Sequence, residues 1–180
     1  MRFITALLAT SLIGATTVHA EMKLTSTDLT VGKPMANEQV FNSFGCSGKN
    51  ISPELVWSGA PEGTKSFAIM AYDPDAPTGS GWWHWSVFNI PANVSKIATG
   101  ASGDKKLPGG AVEGHTDFGT SGYGGACPPA GDAPHHYQFT VYALSVEKLP
   151  LPETAPAAMV GFYVRANTLG KASVEVTYGR

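Results

Sequence analysis

The run "HYQFTVYAL", residues 136–144, places Tyr137, Phe139, Val141 and Ala143 on one face of an extended chain and Gln138, Thr140, Tyr142 and Leu144 on the other. Aromatic and β-branched side chains at a period of two mark a strand. Because both faces are largely apolar, the strand is covered on both sides, as in the interior of a β-sandwich. Working outward, "SFAIMAY" (66–72), "HWSVFNI" (84–90) and "ASVEVTY" (172–178) have the same character and are bounded by turn residues, and "EMKLTSTDL" (21–29) suits a first strand. One segment breaks the pattern. Residues 155–170, "APAAMVGFYVRANTLG", are Ala-rich, follow Glu153 and Thr154, and end at Gly170, which predicts a helix with Met159, Phe162, Tyr163 and Ala166 on its apolar face. The predicted fold class is mainly β, a sandwich with one or two short helices.

A chain of 180 residues is long enough to bury one sizeable core. No linker, repeat or low-complexity tract divides residues 21–180, which predicts a single domain. With 43% hydrophobic and 14% charged residues, 21 Gly and 13 Pro, the composition suits many strands joined by structured loops. A net charge of −2 without a basic run gives no footprint for nucleic acid or for an anionic membrane surface.

Residues 1–20, "MRFITALLATSLIGATTVHA", carry Arg2, an apolar run and a Val-x-Ala ending, the pattern of a signal peptide cleaved after Ala20. The run is shorter than the ~20 apolar residues of a spanning helix and is interrupted by Thr5, Thr10, Ser11 and Gly14, which argues against stable membrane insertion. The expectation is a periplasmic or secreted protein. In an oxidising compartment Cys46 and Cys127 favour a disulfide over a nucleophilic Cys127 or two buried thiols. Each cysteine lies in a long segment between strands, residues 41–65 and 110–136. Long connections of that kind are functional or pinned by a crosslink.

Functional groups gather at strand ends. "DPDAPTGSGWWHW", residues 73–85, sets Asp73 and Asp75 against His84, and His135 and His136 precede the strand at 136–144. If those strands pair, acids, histidines and the loop "GYGGACPPAG" (122–131) converge on one rim. A carboxylate-held imidazole beside loop amides is suited to an oxyanion such as phosphate, a phosphomonoester or a carboxylate. Asp73, His84 and His135 as acid and base of a small hydrolase, or as metal ligands, are the alternatives; neither a GxSxG nucleophile nor a short-spaced ligand pair accompanies them.

The two segments "DPDAP…WWHW" and "GGACPPAGDAPHHYQFTVYAL" resemble the signature regions of the phosphatidylethanolamine-binding protein (PEBP) family, which includes Raf-kinase inhibitor proteins. The stretch "GCSGKNISPELVWSGAPEGTKSFA" is similar to the exported, YbcL-like subgroup of its bacterial branch. The resemblance implies a Greek-key β-sandwich with a preformed anion pocket lined by Asp73, Asp75, Pro77, His84, Gly125, Cys127, Pro128, His135 and Tyr137. It further implies Asp73 orienting an imidazole, no cofactor, modulation of kinases, proteases or signalling complexes rather than catalysis, and a homodimer as a frequent state. Two departures bear on the pocket: Cys127 stands where many members have Gly, and His136 where eukaryotic members have Arg.

Overall fold

The computed structural model describes residues 21–103 and 106–180; the predicted signal peptide, residues 1–20, lies outside the described residues. In chain order the elements are β1 (Lys23–Thr25), β2 (Leu55–Ser58), β3 (Ser66–Asp73), β4 (Trp82–Pro91), β5 (Lys96–Ile97), β6 (Val112–Glu113), β7 (His135–Leu144), α1 (Ala157–Ala166) and β8 (Thr168–Tyr178). All named strands pair antiparallel, in a five-stranded sheet ordered β6-β4-β3-β7-β8 and a three-stranded sheet ordered β1-β2-β5. The four long runs predicted as strands are the four long strands. The short β2 and β6 lie inside the segments that sequence alone reads as loops.

The two-faced reading of residues 136–144 is realised literally. Tyr137, Phe139, Val141 and Ala143 of β7 join Phe67, Ile69 and Ala71 of β3 and the small sheet's Leu24, Leu55, Trp57 and Ile97 in the core between the sheets. Leu144, with Ala68, Met70 and Phe88, forms a second core with Ala157, Val160 and Val164 of α1. The large sheet is therefore covered on one face by the small sheet and on the other by the helix. Burying a Val, Leu or Phe contributes about 1.5–3 kcal/mol each, so these two layers supply most of the driving force.

The helix corrects one expectation. It buries Ala157, Val160, Gly161 and Val164, whereas Phe162 is 71% and Met159 46% exposed. Small residues face the sheet, and at Gly161 a Cβ would make ordinary contacts, 3.7 Å from the Met70 side chain and 3.8 Å from the Trp83 ring. Neither Glu153 nor Thr154 caps it. The N-cap is Pro156, and the Ala157 N–H donates to the His115 carbonyl at 2.8 Å, satisfying a first-turn amide from a neighbouring loop. No helix among the described residues is long and apolar enough to cross a membrane.

Candidate ligand-binding pocket

β4, β3 and β7 are neighbours in the large sheet, and the end of β3 meets the starts of the other two. Asp73 opposes Trp82, and Tyr72 opposes Gln138. Antiparallel pairing thus brings Asp73, His84, His135 and Tyr137 to one rim, although 62 residues separate Asp73 from His135. A bulge aims His84. Ala71 pairs with Trp85 but Tyr72 pairs with Trp83, which leaves His84 as the extra residue on β4. Trp83 consequently turns to the helix face, its ring 4.4 Å from that of Tyr72, while the His84 ring meets Tyr137 at 5.2 Å and Phe118 at 5.4 Å.

The imidazole that Asp73 orients is that of His135. Asp73 Oδ2 accepts from His135 Nδ1 at 2.8 Å, and Oδ1 accepts the N–H groups of Asp75 at 2.8 Å and Ala76 at 3.1 Å. One buried carboxylate thereby closes the Asp75-Ala76-Pro77 turn and fixes the ring. Asp75 does not cap that turn; it accepts the His136 amide at 2.8 Å and lies 2.7 Å from His136 Nδ1. This half-exposed pair raises the His136 pKa through the Asp75 hydrogen bond and lowers that of Asp75 through the same contact.

His84 is held differently. Its Nδ1 donates to the Gly124 carbonyl at 2.8 Å, and the Gly124 N–H donates back to the His84 carbonyl at 2.9 Å. A carbonyl only accepts, so the proton sits on Nδ1 and the neutral ring leaves Nε2 with a lone pair. Burial pushes the His84 pKa below its ordinary value, against the opposing pull of the Gly124 carbonyl and the Asp73 charge. The Tyr137 hydroxyl is pushed the other way, upward, by burial first and then by the Asp73 charge.

These side chains open onto a cavity of about 240 Å³. Of the residues expected to bind a ligand, Asp73, Pro77, His84, Cys127, Pro128, His135 and Tyr137 line it; Asp75 and Gly125 do not. The Gly125 amide, expected to face an anion, donates instead to Asn50 Oδ1 at 2.7 Å, and a Cβ at Gly125 would overlap the backbone of residues 39–41. Sequence reading missed much of the wall: Phe44, Ala76, Thr78, Trp82, Phe118 and Pro129 complete it. Aromatic residues in polar, Gly-rich connections ("FNSFG", "TDFG") were the available signal. Cys46 and Cys127 are joined by a disulfide with Cα atoms 6.0 Å apart, which ties the two long segments together at the cavity.

Two buried donors on lining residues, Trp82 Nε1 and Tyr137 Oη, meet no protein acceptor in hydrogen-bond geometry, although the Asp73 carboxylate acts on the Tyr137 hydroxyl. Such atoms are costly unless an acceptor reaches them. Among the described residues no group of three or more His, Cys, Asp or Glu is placed to hold a metal ion. The lining residues also offer no activated nucleophile: Cys127 is oxidised, the Thr78 hydroxyl donates to the Gly81 carbonyl at 2.6 Å, and that of Tyr137 is held protonated.

A family model described as phosphatidylethanolamine-binding protein matches residues 25–179. The chain is 52% identical to the Escherichia coli protein YbcL over 161 residues, 88% of each chain. It is 49% identical to E. coli YbhB over 158 residues, covering 87% of this chain and 99% of YbhB. It is also 34% identical to LppC of Mycobacterium tuberculosis, named as a lipoprotein, over 91% of this chain and 79% of that one. The crystal structure of E. coli YbcL, described as a new member of the mammalian PEBP family, matches with a TM-score of 0.87 over 89% of this chain and 99% of that chain.

Proposed function

Because the chain belongs to the phosphatidylethanolamine-binding protein family, we propose that it is a non-enzymatic binding protein whose rim pocket captures a small oxyanion, a phosphate, phosphomonoester or carboxylate. The observation that carries this reading is the gathering of His84, whose Nδ1 is committed to the Gly124 carbonyl and whose Nε2 is left over, with Trp82 and Tyr137 around one cavity beside the Asp73–His135 pair. Neutral His84 shows an anion a lone pair, so capture of a fully ionised guest draws a proton onto Nε2 and turns it into a charge-assisted donor. The disulfide and the likeness to a lipoprotein point to a place outside the cytoplasm. Modulation of a protein partner follows if that partner displays the same anionic group.

Calorimetry of the oxidised protein against sulfate, phosphate and phosphoethanolamine tests this, with 4-nitrophenyl phosphate as a turnover probe. Saturable binding without hydrolysis, lost in His84→Ala, is expected. Hydrolysis that disappears in His84→Ala would replace the binding reading with the hydrolase.

A further inference from the structure

The anion end uses only part of the cavity. At about 240 Å³ it holds roughly eight times the ~30 Å³ share of one liquid water, and an inorganic oxyanion leaves most of that unfilled. Three aromatic rings, Trp82, Phe118 and Phe44, form one stretch of the remaining wall, and Ala76, Pro77, Thr78, Cys127, Pro128 and Pro129 form the rest. Phe118 lies 5.4 Å from the His84 ring, 5.4 Å from the Trp82 ring and 5.8 Å from the Phe44 ring, centroid to centroid.

Phe44 stands out within this wall. It is 66% exposed and its backbone has φ 54°, a left-handed conformation uncommon for a residue with a bulky side chain. The loop around it is braced on several sides. Cys46, two residues on, is crosslinked to Cys127 and donates its N–H to the Ser43 carbonyl at 2.9 Å. Arg180 donates to the Gly45 carbonyl at 2.9 Å and to the Pro128 carbonyl at 2.7 Å, bridging the same two segments that the disulfide joins. An apolar ring is thus carried on a braced backbone at the edge of the cavity, where a guest that brings its own ring can meet it.

We propose that Phe44 is a specificity-determining residue that makes the pocket select oxyanions bearing an aromatic group, with the anion at His84 and the ring against Phe118 and Phe44. This rests on the anion reading of the pocket. A ring joined to the anion through a single bridging atom extends from His84 along Phe118, whose ring is 5.4 Å from that of His84 and 5.8 Å from that of Phe44.

The test is calorimetry of the oxidised protein with phenyl phosphate, methyl phosphate and hexyl phosphate at one pH. Phenyl phosphate is expected to bind about tenfold more tightly than methyl phosphate, the gain of a favourable aromatic contact. Phe44→Ala should bring that ratio close to one, and Phe44→Tyr should retain it; a melting curve for each variant confirms that the exposed substitution leaves the fold intact. Methyl phosphate binding with a ratio near one in the wild type, or a ratio untouched by Phe44→Ala, overturns the proposal and leaves the anion pocket standing. Hexyl phosphate matching phenyl phosphate in both wild type and Phe44→Ala likewise overturns it. Binding of none of the three overturns both readings.

Discussion

His84 and Gly124 are bonded to each other twice, ring Nδ1 to carbonyl at 2.8 Å and amide to carbonyl at 2.9 Å, so the tautomer of the buried imidazole is set by a glycine 40 residues away. Gly124 has this place because the Phe118 ring lies directly on its Cα. Fold and pocket therefore share one contact. The glycine lets the aromatic wall approach, and its carbonyl decides which nitrogen of His84 remains for a guest.

Gly124→Ala should consequently be costly although it adds one methyl. Its Cβ would overlap Phe118, forcing the ring or the loop to shift at about 1–3 kcal/mol. Urea denaturation reads the loss, and anion affinity should fall with it. Wild-type stability in this variant would show that the Phe118 packing described here is wrong.

Asp73 separates two roles that a carboxamide can distinguish. Asp73→Asn keeps an acceptor for the Asp75 and Ala76 amides but can turn an N–H donor toward His135 Nδ1, at a cost of about 1–3 kcal/mol. Asp73→Ala loses the turn as well and should be less stable than Asp73→Asn. Chemical denaturation of the two variants gives the order; the reverse order would contradict the carboxylate's role in closing the turn.

The Cys46–Cys127 bridge spans 81 residues of sequence. On the chain-entropy model a closed loop of that length contributes on the order of 4 kcal/mol. For a domain of this size, reduction should lower the melting temperature by roughly 10 °C. Intact mass after alkylation without reductant should show no labelled thiol. Two labelled thiols in exported protein would refute the bridge.

The helix offers a contrast between bulk and burial. Val160→Ala removes a fully buried side chain and should cost about 2 kcal/mol, whereas Phe162→Ser, at an exposed position, should fall within about 0.5 kcal/mol of wild type. Gly161→Ala meets only ordinary contacts and should stabilise by up to ~1 kcal/mol through helix propensity. Thermal melts rank the three. Greater damage from Phe162→Ser than from Val160→Ala would mean that the helix packs on its other face.

Much of this architecture was legible because strand periodicity and burial coincide in β7, where Tyr137, Phe139, Val141 and Ala143 share the inter-sheet core. The helix face was misread for a physical reason. Size favours Met159 and Phe162 as the apolar face, while the residues that meet the sheet are Ala157, Val160, Gly161 and Val164. β2 and β6 escaped notice because strands of four and two residues have no periodicity to read; their partners define them. At the site, residue types at the strand ends sufficed to single out Asp73, His84 and His135 and place them on one rim. The bulge at His84 is a matter of register between β3 and β4, and the spending of the Gly125 amide on Asn50 is a long-range contact; neither has a local signature.

In the proposed function a buried, neutral His84 takes up a proton to hold an oxyanion. Its pKa in the free protein lies below the ordinary value because of burial, and a bound anion raises it. The charge-dependent part of the affinity is therefore fully present below the free-protein pKa and lost as pH rises through the bound-state pKa. Sulfate, which does not titrate in this range, isolates the protein's contribution. The deciding measurement is sulfate affinity by calorimetry between pH 5 and 8 in buffers of differing ionisation enthalpy, a range set around the ordinary histidine value of ~6.5. Affinity that falls with rising pH, proton uptake on binding, and loss of both in His84→Gln are expected. Sulfate binding that stays flat across the range with no proton uptake, or that persists with the same pH dependence in His84→Gln, would contradict it.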